Sequence, residues 1–416
     1  MTIRRREALL AGTAALAGCG RSGTEPLRFW AMGREGEVVE DLLEDFRREQ
    51  PGIEVRIEQL PWTAAHEKLL TAFAGDATPD IAQLGNTWVA ELAALDALSP
   101  LDEFVAGSRT VDMTDYFDGI WSTNVIGGKL LGLPWYVDTR LLFYRRDLLA
   151  KVGFDAPPRD WAEWTAQMRR LAAGPVKQPL ILPNNEFEPL LALALQQGEP
   201  LLKDANTRGN FSGAGFRRAL GFCLELLGSG LAPIESNQQI ANVWQEFGKG
   251  TFAYYISGPW NIGEFKRRLP PELKDAWSTA PLPGPNGPGA STAGGSSLVL
   301  FKRSRRRPEA FKLIEFLSRP EVQARFYALT GDLPPRKSAW AALDADARTR
   351  AFAAQLERVR PTPPVPEWER IANEMQLFAA RAAAEGQSVD ATVQALDEDV
   401  DRILAKRRWL HERGRA

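Results

Sequence analysis

The sequence predicts an α/β fold with two lobes and a ligand site where the lobes meet. Residues 27–95 alternate short apolar strands with helices of 3.6-residue apolar spacing, the pattern of a mainly parallel sheet covered by helices. Residues 131–149 contain two β-rich runs separated by Asp138, Thr139 and Arg140. A carboxylate between two extended aromatic segments indicates a crossing between lobes. An ordinary strand–turn–strand with a solvated Asp138 is the alternative.

The first third of the chain contains three strand candidates, and each precedes a helix. The strands are predicted at 27–32, 53–57 and 78–84. The helices are predicted at 38–46, 63–74 and 89–95. Ligands of such sheets bind at loops beyond the carboxyl ends of the strands. Those loops are 33–36, 61–63 and 85–88, and the last two contain Trp.

The rest of the chain continues to alternate, with more helix toward the C-terminus. Helices are predicted at 160–171, 189–197, 216–227 and 308–317, and strands at 254–256 and 298–301. Asp147 is placed to cap a helix that starts at Leu148. Ser318 and Glu321 have the spacing of a capping box for a further helix.

The first 19 residues have the pattern of an export signal. Arg4–Arg6 form a positive region, and residues 8–18 are an apolar run too short to span a bilayer. The run ends in Leu16-Ala17-Gly18-Cys19, which resembles a bacterial lipobox with a lipidated Cys19. We expect a signal peptide at 1–18, a tether at 19–24 and an anchor in the cell membrane, facing the periplasm or the cell surface. A plain secretory signal with an incidental cysteine is the alternative.

Composition argues against several classes of function. The net charge of −2 is too small to indicate a nucleic-acid partner. His66 lies in the predicted helix after Trp62 and His411 lies in the basic tail, so the sequence indicates neither a zinc site with two histidines nor a serine triad. It also contains no phosphate-binding glycine loop. We therefore expect no metal, no cofactor and no enzyme activity. A glycosidase needs only two carboxylates, so the acid-rich sequence leaves that class open.

Tryptophan is abundant, with 13 residues. Four lie near the ends of predicted strands beside polar groups: Trp62, Trp88, Trp135 and Trp260. A flat aromatic face packs against the apolar face of a sugar ring, while neighbouring polar groups bind the hydroxyls. The pattern indicates a sugar site, and Trp260 is its strongest aromatic candidate. Core packing is the alternative, which we expect for Trp161, Trp164 and Trp277.

The order of several motifs resembles that of the extracellular solute-binding proteins that feed ABC sugar importers. After the lipobox come Pro51-Gly52-Ile53-Glu54-Val55, Thr78-Pro79-Asp80-Ile81, Gly132-Leu133-Pro134-Trp135-Tyr136-Val137-Asp138-Thr139, Phe247-Gly248-Lys249-Gly250, Ser257-Gly258-Pro259-Trp260, Gly294-Gly295 and Pro334-Pro335-Arg336. The resemblance covers nearly the whole chain. It implies a monomeric, maltose-binding-protein-like type II periplasmic-binding-protein fold that delivers a sugar, expected to be an oligosaccharide, to permease subunits.

The resemblance also implies how the two lobes divide the chain. Lobe one would comprise 25–137 and 291–332, and lobe two would comprise 138–290 and 333–416. The hinge would be crossed three times, near Asp138, near 285–291 and near Leu333. Ligand would close the cleft by a hinge motion.

Ten ligand-binding residues follow from the resemblance. Asp138 would accept hydrogen bonds from sugar hydroxyls, and Tyr136 and Trp260 would contact the sugar rings. Lobe-one loops would add Glu35, Trp62, Asn86 and Trp88. Lobe two would add Asn185, and Gly295 and Arg336 would lie near the hinge. The same fold with a phosphate ester, polyamine or peptide ligand, or a membrane-tethered glycosidase, are the alternatives.

Overall fold

A computed structural model describes residues 25–235, 242–343 and 346–414. The predicted signal peptide (1–18) and tether (19–24), with Cys19, lie outside the described residues. No helix within the described ranges is both long and apolar enough to cross a bilayer.

The first part of the chain alternates strands and helices as the sequence predicts. Its elements are β1 (Leu27–Met32), α1 (Gly33–Glu49), β2 (Val55–Leu60), α2 (Trp62–Ala74), β3 (Ile81–Gly85), α3 (Val89–Ala94), α4 (Asp102–Gly107), α5 (Asp118–Ser122), β4 (Val125–Ile126), β5 (Lys129–Leu130) and β6 (Leu133–Asp138). Helix α1 buries the predicted apolar stripe that includes Val38, Leu42 and Phe46.

The middle of the chain forms a second α/β unit. Its elements are β7 (Leu141–Arg145), α6 (Arg146–Lys151), α7 (Trp161–Ala172), β8 (Leu180–Ile181), α8 (Glu188–Leu195), β9 (Leu202–Lys203), β10 (Arg208–Gly209), α9 (Ala214–Gly228), α10 (Val243–Lys249), β11 (Tyr254–Ser257), α11 (Trp260–Arg268), β12 (Trp277–Ala280), β13 (Pro283–Gly284) and β14 (Gly287–Pro288).

The last part returns to the first unit and then ends in helices. Its elements are β15 (Ser291–Thr292), β16 (Gly294–Leu300), α12 (Arg307–Leu317), α13 (Pro320–Thr330), α14 (Ala347–Leu356), β17 (Val359–Arg360), α15 (Trp368–Glu385), α16 (Val389–Ile403) and α17 (Ala405–His411).

Two principal sheets organise these elements. The first has the strand order β2-β1-β3-β16-β6. Its β1, β2 and β3 are parallel, whereas β16 runs antiparallel to β3 and β6. This sheet is therefore mixed, because the later return strand β16 lies between β3 and β6. The second sheet has the order β12-β7-β11-β8. Each sheet is covered by helices, as an α/β fold requires.

The chain passes between the two sheets at three points that lie close together. It leaves β6 after Asp138 and enters β7 at Leu141, and Gly294 of β16 pairs with Asp138. After α13 it passes Leu333, whose carbonyl accepts a 2.8 Å hydrogen bond from Val137 N, and then forms α14 against β12. These passages support the predicted three-crossing hinge. The residue limits of the lobes stay a prediction.

Three local predictions are wrong. Asp147 does not cap α6, because the helix begins at Arg146 and Asp147 lies inside its first turn, where its carboxylate accepts two 2.8 Å hydrogen bonds from the Arg145 guanidinium. Ser318 forms no capping box, because its hydroxyl donates to Ile314 O in the preceding helix at 2.7 Å. Trp135 is fully buried and stacks on Phe326 at 4.6 Å, so it is a core residue. Trp161, Trp164 and Trp277 are buried, as predicted.

Candidate functional site

A cavity of about 640 Å³ lies between the first sheet and the helices and loops of the second unit. Its volume falls within the range of small-molecule sites, roughly 300–1,000 Å³. Eight of the ten predicted ligand residues line it: Glu35, Trp62, Asn86, Trp88, Tyr136, Asp138, Trp260 and Gly295. The structure thus brings together residues that lie far apart in the sequence.

Two of the predicted residues are not brought into this cavity. Arg336 is buried elsewhere, where its Nε donates to Asp115 Oδ2 at 2.7 Å and its Nη1 donates to Ser318 O at 2.9 Å. It fixes the loop after the third crossing and cannot point to the ligand at the same time. Asn185 is not among the lining residues, although Phe187 and Glu188, two and three positions later, are.

Each of the three cavity tryptophans lies against a glycine. A Cβ atom on Gly33 would come within 2.9 Å of the Trp62 indole, and one on Gly85 would come within 3.3 Å of the Trp88 indole. A Cβ on Gly258 would lie 1.9 Å from the Trp260 ring. The glycines leave room for the rings to lie close to the backbone, and all three indoles contribute to the lining of the cavity.

Arg140 connects the cavity acids to one of these rings. Its Nη1 donates to the two carboxylate oxygens of Asp138 at 2.8 and 3.0 Å, and its Nη2 donates to Glu188 Oε1 at 3.1 Å. The guanidinium carbon lies 4.7 Å from the Trp260 ring centroid, a cation–π distance. Burial raises the pKa of Asp138, and the Arg140 charge opposes this shift. Arg140 therefore holds both acids and the exposed indole.

A second group of acids lies around Tyr136. The Tyr136 hydroxyl donates to Glu35 Oε1 at 2.7 Å, and the Gln83 amide donates to the same oxygen at 3.5 Å. Asp332 also lines the cavity. Burial raises the pKa of Asp332 from its ordinary 3.8 to about 7, and the neighbouring Glu35 charge adds to the shift. At neutral pH this carboxyl can donate as well as accept a hydrogen bond, which suits a hydroxyl ligand.

Gly295 lies at the hinge and is required there by space. Its φ is +125°, and a Cβ would come within 2.3 Å of Tyr136 O. Beside it, the Asn86 amide donates to Ala293 O at 2.6 Å. Asn86 thereby joins the loop after β3 to the segment that leads into β16.

Several lining residues were not predicted from the sequence. Four of them are charged: Arg140, Glu188, Asp332 and Glu369. Arg140 and Asp332 each lie within two residues of a predicted crossing, at Asp138 and Leu333, and that adjacency was the available signal. Glu188 and Glu369 lie in the first turns of α8 and α15, where acids are common on any helix. Their sequence context therefore carries no separate signal.

The cavity is acidic. Its lining includes five carboxylates, Glu35, Asp138, Glu188, Asp332 and Glu369, and one guanidinium, Arg140. Such a lining can bind many hydroxyl groups, and its aromatic faces can bind sugar rings. In the part of the chain that the structure describes, no group of three or more His, Cys, Asp and Glu side chains could hold a metal ion.

Comparisons with known proteins find several sugar-binding proteins that are similar to this chain. The sugar-binding protein MalE from the phytopathogen Xanthomonas citri is 55% identical, and its solved structure superposes with a TM-score of 0.91 over 93% of this chain and 99% of that one. The diacetylchitobiose binding protein DasA of Streptomyces coelicolor is 21% identical over 397 residues, 94% of this chain and 92% of that protein. The arabinooligosaccharide-binding protein of Bacillus subtilis is 23% identical over 357 residues, 80% and 78% of the two chains.

The matches define both the fold and the family. The fold is the two-lobe, type II fold of MalE-like periplasmic binding proteins. The family model described as bacterial extracellular solute-binding protein matches residues 32–324, well over half of the sequence. This chain therefore belongs to the bacterial extracellular solute-binding protein family.

Proposed function

We propose that the protein captures an oligosaccharide outside the cytoplasm and delivers it to the permease subunits of an ABC importer. One observation carries the proposal: three indoles held over glycines, Trp62, Trp88 and Trp260, face a cavity lined by carboxylates. Aromatic faces and hydroxyl acceptors together are the chemistry of sugar recognition. The sugar-binding names of the relatives support the same ligand class.

Binding would be coupled to movement of the lobes. The lining residues come from the first sheet, from helices α8 and α11 of the second unit and from all three crossings, so a ligand that contacts both sides favours the conformation in which the two sides are close. The measured affinity is then reduced by the free energy of closure. The transporter would recognise the closed, loaded form.

The acidic lining distinguishes among other ligands of the same fold. One guanidinium, already bonded to Asp138 and Glu188, is a poor receptor for a phosphate ester. A polyamine is the second candidate, because the excess of carboxylates would attract a cation. The aromatic faces support both ligands, through stacking on sugars or through cation–π contacts with amines.

A ligand panel tests the proposal. Maltose, maltotriose, chitobiose, arabinobiose and spermidine are compared by thermal shift, because a specific ligand raises Tm by mass action. We expect a saccharide to raise Tm and spermidine to have no effect. A shift with spermidine alone would replace the sugar by a polyamine. Mass spectrometry of the recovered saccharide then tests the absence of glycosidase activity, for which we expect an intact ligand.

We further propose that the mature protein is a monomer anchored to the membrane through lipidated Cys19. The lipobox-like Leu16-Ala17-Gly18-Cys19 supports the anchor. Labelling of expressing cells with a fatty-acid probe should mark the wild type and not Cys19→Ala. Light scattering of the soluble body should give the mass of one chain. Labelling that persists in Cys19→Ala would contradict the lipid anchor at Cys19. A dimer mass would contradict the monomer.

A further inference from the structure

His66 contacts the wall of the sugar site without being part of its lining. It lies in α2, four residues after Trp62, so the two rings share one face of the helix. The His66 ring centroid lies 5.0 Å from the Trp88 ring, and the Trp62 centroid lies 5.6 Å from the same ring. The Trp88 indole is therefore held by two rings of α2, only one of which reaches the cavity.

A carboxylate fixes the imidazole in this position. Glu91 Oε2 lies 2.6 Å from His66 Nε2, and about a third of the His66 side chain is exposed. Glu91 lies in α3, three residues after Trp88. The ion pair and the ring contact thus join α2 to the same short segment that carries the indole.

The charged groups with the largest effect on the pKa of His66 are acids. The hydrogen bond with Glu91 raises the pKa of His66, burial opposes the shift, and the charges of Glu91, Glu369 and Glu67 add to it. Glu369 comes from α15 and lines the cavity. Burial raises the pKa of Glu369, and the His66 charge opposes that shift. The His66 and Glu369 charges therefore favour each other's ionised form.

We propose that His66 is a positioning residue of the sugar site, whose imidazolium, paired with Glu91, holds the Trp88 indole in place. The imidazolium supplies a cation–π contact to Trp88. This contact is lost when the ring becomes neutral. Because the imidazolium fixes the indole that the ligand contacts, the ligand-bound protein favours the protonated ring more than the free protein does, so ligand affinity is highest below the pKa of His66 and falls as the pH rises through it. Two experiments test this proposal. The first, without ligand, is independent of the proposed function, whereas the second measures ligand binding and rests on the proposed function.

The ligand-free arm uses the fact that the chain has two histidines, His66 and His411. The ring signals are followed by NMR from about pH 5 to about pH 9, a range that brackets histidine titration, and Trp88→Phe assigns the Trp88 indole N–H. We expect the His66 midpoint to lie above the ordinary histidine value of 6.5, and the Trp88 signal to move with the His66 midpoint. A Trp88 signal that does not follow His66 would overturn the proposal.

The binding arm measures the Kd of maltotriose at about pH 6 and about pH 9 in wild type, His66→Gln and His66→Lys. Asp332 also titrates in this pH range in all three proteins, so each protein is described by the ratio of its Kd at about pH 9 to its Kd at about pH 6, and these ratios are compared. We expect the wild-type ratio of Kd at high to low pH to exceed that of His66→Gln by about two- to fivefold. His66→Lys stays charged and should keep its affinity at high pH. Equal ratios in wild type and His66→Gln would overturn the proposal, even if the variants fold normally. Failure of every protein to bind maltotriose would count against this saccharide as the ligand of the proposed function, and the NMR result would still decide the role of His66.

Discussion

Arg140 holds Asp138 through one nitrogen, Nη1, which lies 2.8 and 3.0 Å from the two carboxylate oxygens. Its other terminal nitrogen holds Glu188 at 3.1 Å. Asp138 ends β6 of the first sheet, and Glu188 begins α8 of the second unit. One guanidinium therefore links acids from both sides of the cavity, at the point where the chain crosses between them.

Removal of the Arg140 charge should destabilise the protein. The Arg140 side chain is only 10% exposed, and without it two partly buried carboxylates lose their counter-charge. We expect Arg140→Met to lower the free energy of unfolding by about 3 kcal/mol. Arg159→Met is the matched control, because Arg159 is 76% exposed and pairs with Glu163 on the surface. Its loss should be below about 1 kcal/mol. Urea unfolding measures both, and equal losses would contradict the role of Arg140.

Trp260 should contribute a large share of the sugar affinity. The Trp260→Ala variant is expected to raise Kd by about thirtyfold, the effect of losing one aromatic anchor worth about 2 kcal/mol. Gly258→Ala should act in the same direction, because its Cβ would lie 1.9 Å from the Trp260 ring and displace it. Trp409→Ala is the control, since Trp409 is similarly exposed, at 44% against 40%, but lies in α17. Calorimetric titration measures Kd, and equal Kd values for Trp260→Ala and Trp409→Ala would show that Trp260 is not part of the site.

Gly295→Ala should be destabilising because of close contact with the backbone at the hinge. The new Cβ would lie 2.3 Å from Tyr136 O, at a φ of +125°. We expect a loss of about 2–4 kcal/mol in the free energy of unfolding. Gly287→Ala separates the two causes, because Gly287 has a φ of +132° but no atom within 4 Å of the position that a Cβ would take. It should lose only the conformational part, about 1 kcal/mol. A larger loss in Gly287→Ala would show that the close contact at Gly295 is unimportant.

Asp332 should make stability depend on pH in a defined direction. Its pKa is raised from 3.8 to about 7, so the folded chain holds this proton more tightly than the unfolded chain. The contribution of Asp332 to the free energy of unfolding therefore falls as the pH rises from about 4 to about 7, and is constant above that range. Asp332→Asn, which stays neutral, should raise Tm at pH 8 by about 2–4 °C and have little effect near pH 4. The exposed Asp155 supplies the control variant Asp155→Asn. The prediction fails if Asp332→Asn has the same effect on Tm at both pH values.

Much of the fold follows from local patterns in the sequence. The strand predicted at 27–32 is β1, and the helix predicted at 63–74 is α2 with one more residue at its start. These elements are predictable because alternation and 3.6-residue spacing are set by which face is buried. The antiparallel return of β16 between β3 and β6 was not predicted, because strand order depends on contacts between segments far apart in sequence.

The candidate site was predictable only in part, because a motif places a residue in the chain but does not give the direction of its side chain. Tyr136, Asp138 and Trp260 were placed by the family motifs and Glu35 by its loop after the first strand, and the structure brings them to one cavity. Arg336 follows a hinge crossing but points back to Asp115. Glu369, in the first turn of α15, is indistinguishable in sequence from a solvated helix residue, yet it faces the cavity.

The central claim is that one carbohydrate is held in the cavity between the lobes. Calorimetric titration tests it most directly, with maltotriose and the other saccharides added to the wild type and to the Asp138→Asn, Trp260→Ala double variant. We predict saturable binding of one saccharide per wild-type chain and loss of that binding in a folded double variant. Binding of equal affinity in both proteins, or no binding of any saccharide to the wild type, would contradict it.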